Sequence, residues 1–368
     1  MATVALRNLR KVFGKTVALD GLDVSIGDGE FFVLLGPSGA GKTTTLKCIA
    51  GLEEPTEGRI VIGDRDVTTV EPNKRRVAMA FENYALYPHL SVFDNIAFPL
   101  RSPRYRLPES EIRSRVGTTA EVLGISHLLD RLPAELSGGQ RQRVSLARVL
   151  VRPADAVLLD EPLSHLDAKL RAAMRAELKS LSHIQRTTTI YVTHDYLEAL
   201  ALGDRIGVLR AGQLVQVGTR EEIWQEPRDT FVARAFGQPE INLLKGTVVT
   251  GEDGPAFRLD GVEWTVALPK RNVPVGARVE LGLRPRDLTL EHGDSSASAR
   301  TGLRFPGRVY VVEPLGRELE VTVNVGSVQV AVVVDGQIGD WPLDAPVTVI
   351  APPDRVLLFD EASTLRIA

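Results

Sequence analysis

The chain has 368 residues, of which 43% are hydrophobic and 25% are charged, so it can form two domains with cores of ordinary size. Its net charge of −3 lacks the basic excess of dedicated nucleic-acid-binding proteins, and we expect no nucleic-acid partner. No apolar run approaches the roughly 20 residues of a membrane-spanning helix, so we expect any membrane association to come through a partner.

The predicted elements begin with two alternating segments, 4–9 and 22–26, which are typical of half-buried antiparallel strands. A short apolar strand then covers 31–35, and a helix follows at 44–50. Between them lies a glycine-rich loop made of Gly36, Pro37, Ser38, Gly39, Ala40, Gly41, Lys42 and Thr43. This order of strand, loop and helix is the context in which such a loop binds phosphate.

The glycine-rich loop predicts a nucleotide site. Its glycines allow backbone N–H groups to face a phosphate, and the helix N-terminus adds partial positive charge. Lys42 would reach the β- and γ-phosphates, and the Thr43 hydroxyl would hold Mg²⁺. The alternative is a glycine turn before an ordinary helix. The one cysteine, Cys48, lies inside that helix, so we expect a packed apolar side chain and no intramolecular disulfide.

The next part of the chain alternates between strands and helices. The region from about 85 to 150 has helical periodicity and is expected to form a helical subdomain. The other elements are strands at 59–63, 76–81, 156–159 and 188–192, with an amphipathic helix at 166–182 between the last two. Such alternation predicts an α/β fold with a mainly parallel sheet covered by helices.

The pattern changes after about residue 236. Short alternating strands with closely spaced turn residues fill the rest of the chain, which is typical of a small all-β domain, most simply a barrel. We therefore expect a nucleotide-binding domain over 1–236 and a β-rich domain over 237–368. The polar stretch 294–299 is expected to be a loop.

Two adjacent carboxylates follow the buried strand at 156–159. Asp160 stands where a carboxylate beside the phosphate loop would hold Mg²⁺, directly or through water. Glu161 stands where a carboxylate could accept a proton from an attacking water. The alternative is a strand that ends at a solvated acidic turn.

A second candidate anion site begins another helix. Small residues and the free N–H groups of a helix start again favour an anion, at Ser137, Gly138, Gly139 and Gln140. One nucleotide does not need two phosphate cradles in one chain. Two chains packed head to tail would use both cradles, because the second anion site of each chain could cover the nucleotide bound to the other.

Taken together, these segments resemble the ATP-binding subunit of an ABC transporter. The similarity covers about the first 235 residues and rests on the phosphate loop, 136–140, Leu159-Asp160-Glu161-Pro162, 163–167 and Thr193-His194-Asp195. Within that family, the segment Asn83 to Val92 resembles the maltose-type importer ATPases in particular. Two segments of the β-rich region are similar to recurring sequence motifs in the C-terminal, TOBE-like regulatory domain of those proteins. They are Gly282-Leu283-Arg284-Pro285 and Val312 to Gly316.

The resemblance implies further roles. Phe13 would stack on adenine, where the family often has Tyr or Trp, and the alternative is a core aromatic residue. Asp167 would lie at the dimer interface. His194 would contact the γ-phosphate and hold Glu161 or the water in place. The remaining nucleotide contacts would come from the phosphate loop with Thr44 and, in the opposite subunit, from Ser137, Gly138, Gly139 and Gln140.

One position departs from the family pattern. Glu82 stands where the family has a Gln that contacts Mg²⁺ and the attacking water and senses the membrane subunit. A glutamate keeps an oxygen that can bind metal or take part in catalysis, but it adds charge and lacks the NH₂ donor.

The function expected from the resemblance is ATP hydrolysis that drives uptake of a solute, a sugar or related polyol compound. The active unit would be a homodimer with ATP and Mg²⁺ at the cytoplasmic face of the membrane, working with two permease subunits and an external solute-binding protein. Alternatives are an importer ATPase for a polyamine or inorganic ion, a soluble ABC ATPase of DNA repair or translation, and a regulatory module in which Glu82 weakens hydrolysis.

Overall fold

The computed structural model describes residues 2–81, 84–103, 105, 107–164, 166–185, 187–252, 254–268, 273–293 and 302–367, with the backbone alone over 181–185. It separates into two compact units, Met1–Ile223 and Trp224–Ala368. No helix in these described ranges is long and apolar enough to cross a membrane.

The first unit contains ten strands within the described ranges, some paired antiparallel and others paired in parallel. They are β1 (Val4–Phe13), β2 (Thr16–Ile26), β3 (Phe31–Leu35), β4 (Glu57–Ile62), β5 (Arg65–Asp66), β6 (Val77–Ala80), β7 (Ala156–Asp160), β8 (Thr188–Thr193), β9 (Arg205–Arg210) and β10 (Gln213–Gly218). Its helices are α1 (Lys42–Ala50), α2 (Val92–Ala97), α3 (Glu109–Val122), α4 (Gly138–Leu150), α5 (Ala168–Gln185) and α6 (Tyr196–Leu202), and α7 (Arg220–Gln225) extends two residues past its end at Ile223.

The central sheet of this unit has the order β10-β9-β3-β8-β7-β6. All neighbours from β9 to β6 pair in parallel, and β10 pairs antiparallel with β9. Every residue of β3, β7 and β8 is buried, as expected for parallel strands covered on both faces. Because parallel strands end at one edge, the carboxyl ends of β3, β8 and β7 lie side by side.

A smaller antiparallel sheet of order β2-β1-β4-β5 packs beside the central sheet. Leu6 and Ile60 from the small sheet share one buried cluster with Leu34 of β3 and Leu46 of α1. The helices α2, α3 and α4 pack on one another and form the expected helical subdomain. Cys48 is fully buried in the same cluster as Leu46, as the sequence predicted.

The second unit consists mainly of antiparallel strands around one core. The sheets have the orders β13-β12-β11-β14-β20 and β15-β19-β16-β17-β18. Valines and leucines that alternate along strands of both sheets form a shared core, as the period-2 pattern predicted. The elements are α8 (Thr230–Ala235), β11 (Asn242–Gly251), β12 (Gly254–Leu259), β13 (Val266–Ala267), β14 (Arg278–Leu283), β15 (Thr289–His292), β16 (Leu303–Leu315), β17 (Glu318–Val325), β18 (Val328–Asp335), β19 (Pro346–Ala351) and β20 (Leu357–Asp360).

The division between the units falls at 223/224, ahead of the expected boundary at 236/237. Segment 224–236 groups with the β-rich unit, and Arg284 is one of the residues that contact it there. The buried Arg284 guanidinium lies 3.8 Å from the centre of the Trp224 ring and donates to the carbonyl oxygens of Trp224 and Phe236, at 2.8 and 2.7 Å. Burial lowers the pKa of Arg284 to about 10. The sequence pattern did not reveal this attachment, because it depends on a contact between distant residues.

Candidate functional site

The candidate site lies at the carboxyl edge of the central sheet. The glycine-rich loop follows β3, Glu161 follows β7 and His194 follows β8. Since β8 lies between β3 and β7, three segments that are far apart in sequence emerge next to one another. Edges of this kind are where open α/β sheets bind ligands.

The glycine-rich loop adopts a conformation that requires glycine at two positions. Gly41 has φ 106°, and a Cβ atom there would lie 2.7 Å from the carbonyl oxygen of Ala18. A Cβ on Gly36 would collide with the carbonyl oxygen of Leu209. Pro37, Ser38 and Gly39 are exposed, so the outer rim of the loop is accessible to a ligand.

Lys42 lies under this loop. Its side chain is 6% exposed, and Nζ donates to the carbonyl oxygens of Gly36 at 2.9 Å and Pro37 at 3.1 Å. The same Nζ lies 3.5 Å from Oε1 of Glu161. The structure therefore brings a buried cation, the loop and a predicted catalytic carboxylate to one point.

Thr43 and Asp160 form a second contact across the same edge. The Thr43 hydroxyl donates to Oδ1 of Asp160 at 3.0 Å, although 117 positions separate them in sequence. Asp160, at the end of β7, is 4% exposed. A hydroxyl and a carboxylate oxygen are ligands of the kind that Mg²⁺ prefers, so this pair fits the ion that the sequence predicted.

Glu161 lies between two other groups of the site. Its Oε2 lies 2.8 Å from Nδ1 of His194, while Oε1 faces Lys42. The backbone of Glu161 has φ 44°, a conformation that side-chain-bearing residues seldom adopt, and its N–H donates to the carbonyl oxygen of Val192 at 3.2 Å. This strained turn directs the carboxylate back toward the loop instead of into solvent, contrary to the acidic-turn alternative.

His194 is 59% exposed, against 19% for Glu161. Because an ionised carboxylate can only accept a hydrogen bond, we assign the proton of this contact to Nδ1 of His194. That assignment leaves Nε2 for a second partner. The exposed ring is thus held by its contact with Glu161.

The second predicted anion site lies elsewhere in the unit. Ser137 caps α4: its hydroxyl accepts from the N–H of Gln140 at 3.3 Å, and Oε1 of Gln140 accepts from the N–H of Ser137 at 2.9 Å. The first helical N–H groups, which have no partners within a helix, belong to Gly138 and Gly139. In the described part of the chain no hydrogen bond joins these residues to the phosphate loop.

Phe13, Thr44 and Asp167 are three further residues that the sequence predicted for the site. Phe13, at the end of β1, is 43% exposed, and Nζ of Lys11 lies 4.6 Å from its ring centre, so it is not a core residue. Thr44 is half-buried in the first turn of α1. Asp167 is exposed, and its carboxylate accepts from the N–H of Leu170 at 2.9 Å at the start of α5.

Glu82 lies outside the described residues, and so does Asn83. The role of Glu82 in metal binding and catalysis therefore stays a prediction from the sequence.

Sequence reasoning missed two residues beside the site. Glu198 on α6 and Arg171 on α5 both contact the turn that carries His194. Asp195 and Glu198 have the spacing of a helix-capping box, a signal that would have predicted a local cap for Glu198. The observed partners of Glu198 are Tyr191 and Thr193, which the spacing does not reveal.

Comparison with known proteins identifies the family. A family model described as ABC transporter matches residues 19–164, and one described as TOBE domain matches residues 281–359. The trehalose/maltose import ATP-binding protein MalK of Thermococcus litoralis is 47% identical over 344 residues, which cover 89% of this chain and 90% of that protein. This chain belongs to the ABC transporter family of ATP-binding proteins. The predicted family and its ATPase class are thereby confirmed.

Other members of the ABC family are similar over comparable lengths. The xylose/arabinose import ATP-binding protein XacK of Haloferax volcanii is 46% identical, with 86% of this chain and 82% of that protein covered. The sn-glycerol-3-phosphate import ATP-binding protein UgpC of Bordetella pertussis is 44% identical, with 90% and 88% covered.

A solved ABC structure supports the fold of the first unit. It is a dimeric ATP-binding cassette in a post-hydrolysis state, bound to ADP and phosphate. It is 30% identical to this chain with a TM-score of 0.55, and covers 59% of this chain and 98% of that one. The predicted fold class, an α/β ATPase core followed by a small all-β domain, is confirmed.

Proposed function

We propose that this ABC protein hydrolyses ATP to drive the import of a sugar or related polyol compound through separate membrane subunits. The observation that carries the proposal is the meeting of Lys42, Glu161 and His194 at the carboxyl edge of the central sheet, beside the Thr43–Asp160 pair. Phosphoryl transfer to water needs a cradle for the phosphates, a cation, a metal site and a base, and this arrangement offers each of them.

The nucleotide would bind on the glycine-rich loop. Lys42, which now donates to two loop carbonyl groups, would exchange these for the stronger acceptors of the β- and γ-phosphates. The exposed face of Phe13 would stack on adenine, since any aromatic face serves a planar base. Backbone N–H groups from Gly36 to Thr44 would hold the phosphate oxygens.

Thr43 and Asp160 would hold Mg²⁺, with Glu82 as a further ligand. Mg²⁺ commonly uses one or two protein ligands together with substrate phosphates, and the converging oxygens of Thr43 and Asp160 suit that habit. When bound, the ion would neutralise charge that develops on the phosphates.

Glu161 would accept the proton of the attacking water, and His194 would orient it. The strained backbone of Glu161 and its contacts with His194 and Lys42 fix both carboxylate oxygens. Such positioning would hold the base beside the attacking water, and general-base groups typically contribute about a hundredfold to ten-thousandfold in rate. Nε2 of His194 would contact the γ-phosphate.

The active unit would be a head-to-tail homodimer. Ser137, Gly138, Gly139 and Gln140 of one chain would cover the γ-phosphate bound to the loop of the other. The capped, half-exposed start of α4 supports this role, because it offers N–H groups and a helix dipole to an anion. Asp167, exposed at the start of α5, would lie at the same interface and link the two sites.

The remaining partners would be two membrane permease subunits and an external solute-binding protein, with this chain peripheral at the cytoplasmic face of the membrane. The relatives named above act in import of trehalose or maltose, of xylose or arabinose, and of sn-glycerol 3-phosphate. All of these solutes are sugars or polyol derivatives, which is the class we propose for this system.

Uptake by the reconstituted system tests the proposal. The chain would be co-expressed with the permease subunits and binding protein that co-purify with it, and ATP-driven uptake into vesicles would be measured for maltose, trehalose, xylose, glycerol 3-phosphate, spermidine and sulfate. We expect one of the first four to be accumulated and to stimulate ATP hydrolysis, and Glu161→Gln to abolish both. Stimulation by spermidine or sulfate alone, or by DNA without membrane subunits, would contradict the proposed solute class.

A further inference from the structure

We infer that Glu198 is a positioning residue for hydrolysis: it fixes the turn Thr193-His194-Asp195 and thereby sets His194 against Glu161. The inference rests on the proposed role of His194. In the described structure Glu198 makes no hydrogen bond or ion pair with the phosphate loop or with Glu161. It would act only through the turn.

Glu198 is a buried carboxylate at the centre of a small network. It is 3% exposed, and its Oε2 accepts two hydrogen bonds, from the Tyr191 hydroxyl at 2.8 Å and from the Thr193 hydroxyl at 2.7 Å. Tyr191 is fully buried within β8, and Thr193 is the last residue of that strand and is 2% exposed. The carboxylate therefore ties α6 to the strand end that carries His194.

The Thr193 hydroxyl also binds Asp195, the residue that follows His194. Since it donates its hydrogen to Glu198, its lone pairs remain to accept, and they accept from the N–H of Asp195 at 3.0 Å. His194 is thus the middle residue of the turn, and the residues before and after it, Thr193 and Asp195, are linked through one hydroxyl group. Without Glu198 that hydroxyl could rotate and donate elsewhere, and the link would loosen.

His194 depends on this turn because little else holds it. Its side chain is 59% exposed, and its one hydrogen-bonded contact in the described structure is with Oε2 of Glu161 at 2.8 Å. An exposed ring without close packing takes its direction from its backbone. A backbone shift of about 1 Å is enough to lower a rate about a hundredfold when the group must reach a reacting atom.

A simple capping role does not account for Glu198. The cap of α6 is Asp195, whose Oδ1 accepts from the N–H groups of Leu197 at 2.8 Å and Glu198 at 3.4 Å. In a capping box the glutamate would accept from the N–H of the cap residue, and here the Thr193 hydroxyl does so. Burial of a carboxylate that the helix does not need points to a role in the turn instead.

A second restraint reaches the turn from α5. Nη1 of Arg171 lies 3.5 Å from Oδ2 of Asp195, while Nη2 donates to the carbonyl oxygens of Leu166 at 3.2 Å and Ser164 at 3.5 Å. The carbonyl oxygen of Glu161 in turn accepts from the Ser164 hydroxyl at 3.0 Å. The turn is therefore held on one side by Glu198 and on the other by a chain of contacts that leads back to Glu161.

Kinetics of the variants Glu198→Ala and Glu198→Gln test the inference. Alanine removes the acceptor, whereas glutamine keeps an oxygen that the two hydroxyl groups can reach. We expect Glu198→Ala to lower kcat about tenfold to a hundredfold, with the KM for ATP and the affinity for a fluorescent ATP analogue nearly unchanged, and Glu198→Gln to restore most of kcat. A kcat unchanged in Glu198→Ala, or losses of kcat, affinity and melting temperature in equal measure, would overturn the inference.

Thr193→Val and Thr193→Ser provide the same test if Glu198→Ala fails to fold. Valine matches the shape of threonine but lacks the bridging hydroxyl, so we expect a lower kcat at unchanged affinity, with Thr193→Ser close to the parent. Equal kcat values for Thr193→Val and the parent would overturn the inference. Glu280→Gln, at another buried glutamate in the β-rich unit, is the matched control and should leave kcat unchanged.

The variant His194→Ala separates this inference from the proposed function. If His194→Ala retains full kcat, then the role given to His194 is wrong, whatever Glu198 does. If His194→Ala is inactive while Glu198→Ala and Thr193→Val turn over like the parent, then the function stands and the inference about Glu198 fails.

Discussion

Oε2 of Glu161 lies 2.8 Å from Nδ1 of His194, which joins the ends of two neighbouring parallel strands through their side chains. The other oxygen of the same carboxylate lies 3.5 Å from Nζ of Lys42, on the loop that follows a third strand. One carboxylate thus contacts a histidine that follows the adjacent strand β8 and a lysine that follows β3, the next strand beyond it. This arrangement makes Glu161 the residue on which the proposed chemistry depends most.

Substitution of Ser137 tests the proposed dimer. The variant Ser137→Arg places a long side chain at the start of α4, where a partner's phosphate would have to approach. We expect it to abolish ATP-driven dimerisation and hydrolysis while the monomer still binds nucleotide. Analytical ultracentrifugation and equilibrium binding of an ATP analogue would measure the two effects separately.

Ser137→Thr is the matched control, because it keeps the capping hydroxyl, whose loss alone costs about 1 kcal/mol. It should dimerise and turn over like the parent. In addition, the rate per chain of the parent should rise with protein concentration. A Ser137→Arg chain that stays fully active at every concentration would show that α4 does not complete a partner's site.

Substitution of Glu82 tests the departure from the family pattern. In the closed site its carboxylate would lie with Glu161 and the γ-phosphate around one divalent ion, and like charges about 4 Å apart repel by about 4 kcal/mol at an effective dielectric constant near 20. Direct coordination of Mg²⁺ would offset this repulsion. We therefore expect Glu82→Gln to keep or raise basal hydrolysis and to raise the Mg²⁺ concentration for half-activity, as a magnesium titration would show.

A severe loss of hydrolysis in Glu82→Gln, with ATP binding intact, would point the other way. The carboxylate would then take part in the chemistry itself. Glu82→Ala serves as the comparison, because it removes the metal-binding oxygen that glutamine retains.

The thiol of Cys48 should react slowly in the folded chain. Cys48 is fully buried, and burial raises its pKa to about 11, so about one molecule in a thousand carries the reactive thiolate at pH 8. Labelling by an aromatic disulfide reagent should be complete only after unfolding. ATP should slow it further, because a ligand that binds only the folded state stabilises that state. Rapid labelling of the folded chain would contradict the packing described for α1.

The stability of the chain should carry a pH dependence that comes from Glu198. Burial raises the pKa of its carboxyl group above the ordinary 4.5, outweighing the bonds from Thr193 and Tyr191. The stabilisation linked to the bound proton is therefore complete below pH 4.5 and is lost as the pH rises through the raised pKa. Glu198→Gln cannot ionise, so its free energy of unfolding relative to the parent should increase with pH above 4.5. Urea unfolding between pH 5 and pH 8 would check this, and a difference that does not vary with pH would contradict it.

Local patterns predicted the parts of the site that depend on neighbours in sequence. The loop from Gly36 to Thr43, the carboxylates after β7 and the capped start of α4 each follow from residue types at fixed spacing next to a predicted strand or helix. The order of the strands then places these segments at one edge, because parallel strands end together.

Contacts between distant residues could not be predicted in this way. The Thr43–Asp160 bond, the Lys42–Glu161 contact and the Glu198 network join side chains whose separation is set by packing of the whole sheet. The attachment of Trp224 to the β-rich unit could not be predicted for the same reason, since Arg284 binds Trp224 across 60 positions of sequence.

Glu161→Gln gives the most direct test of the central claim that this residue is the general base of ATP hydrolysis. The variant keeps the size of the side chain and its contact with His194 but cannot accept the proton. The measurement is single-turnover hydrolysis alongside ATP affinity and oligomeric state. We predict a loss of hydrolysis by at least about a hundredfold, with ATP affinity retained and a stable ATP-bound dimer. Hydrolysis near the parent rate by Glu161→Gln would contradict the account.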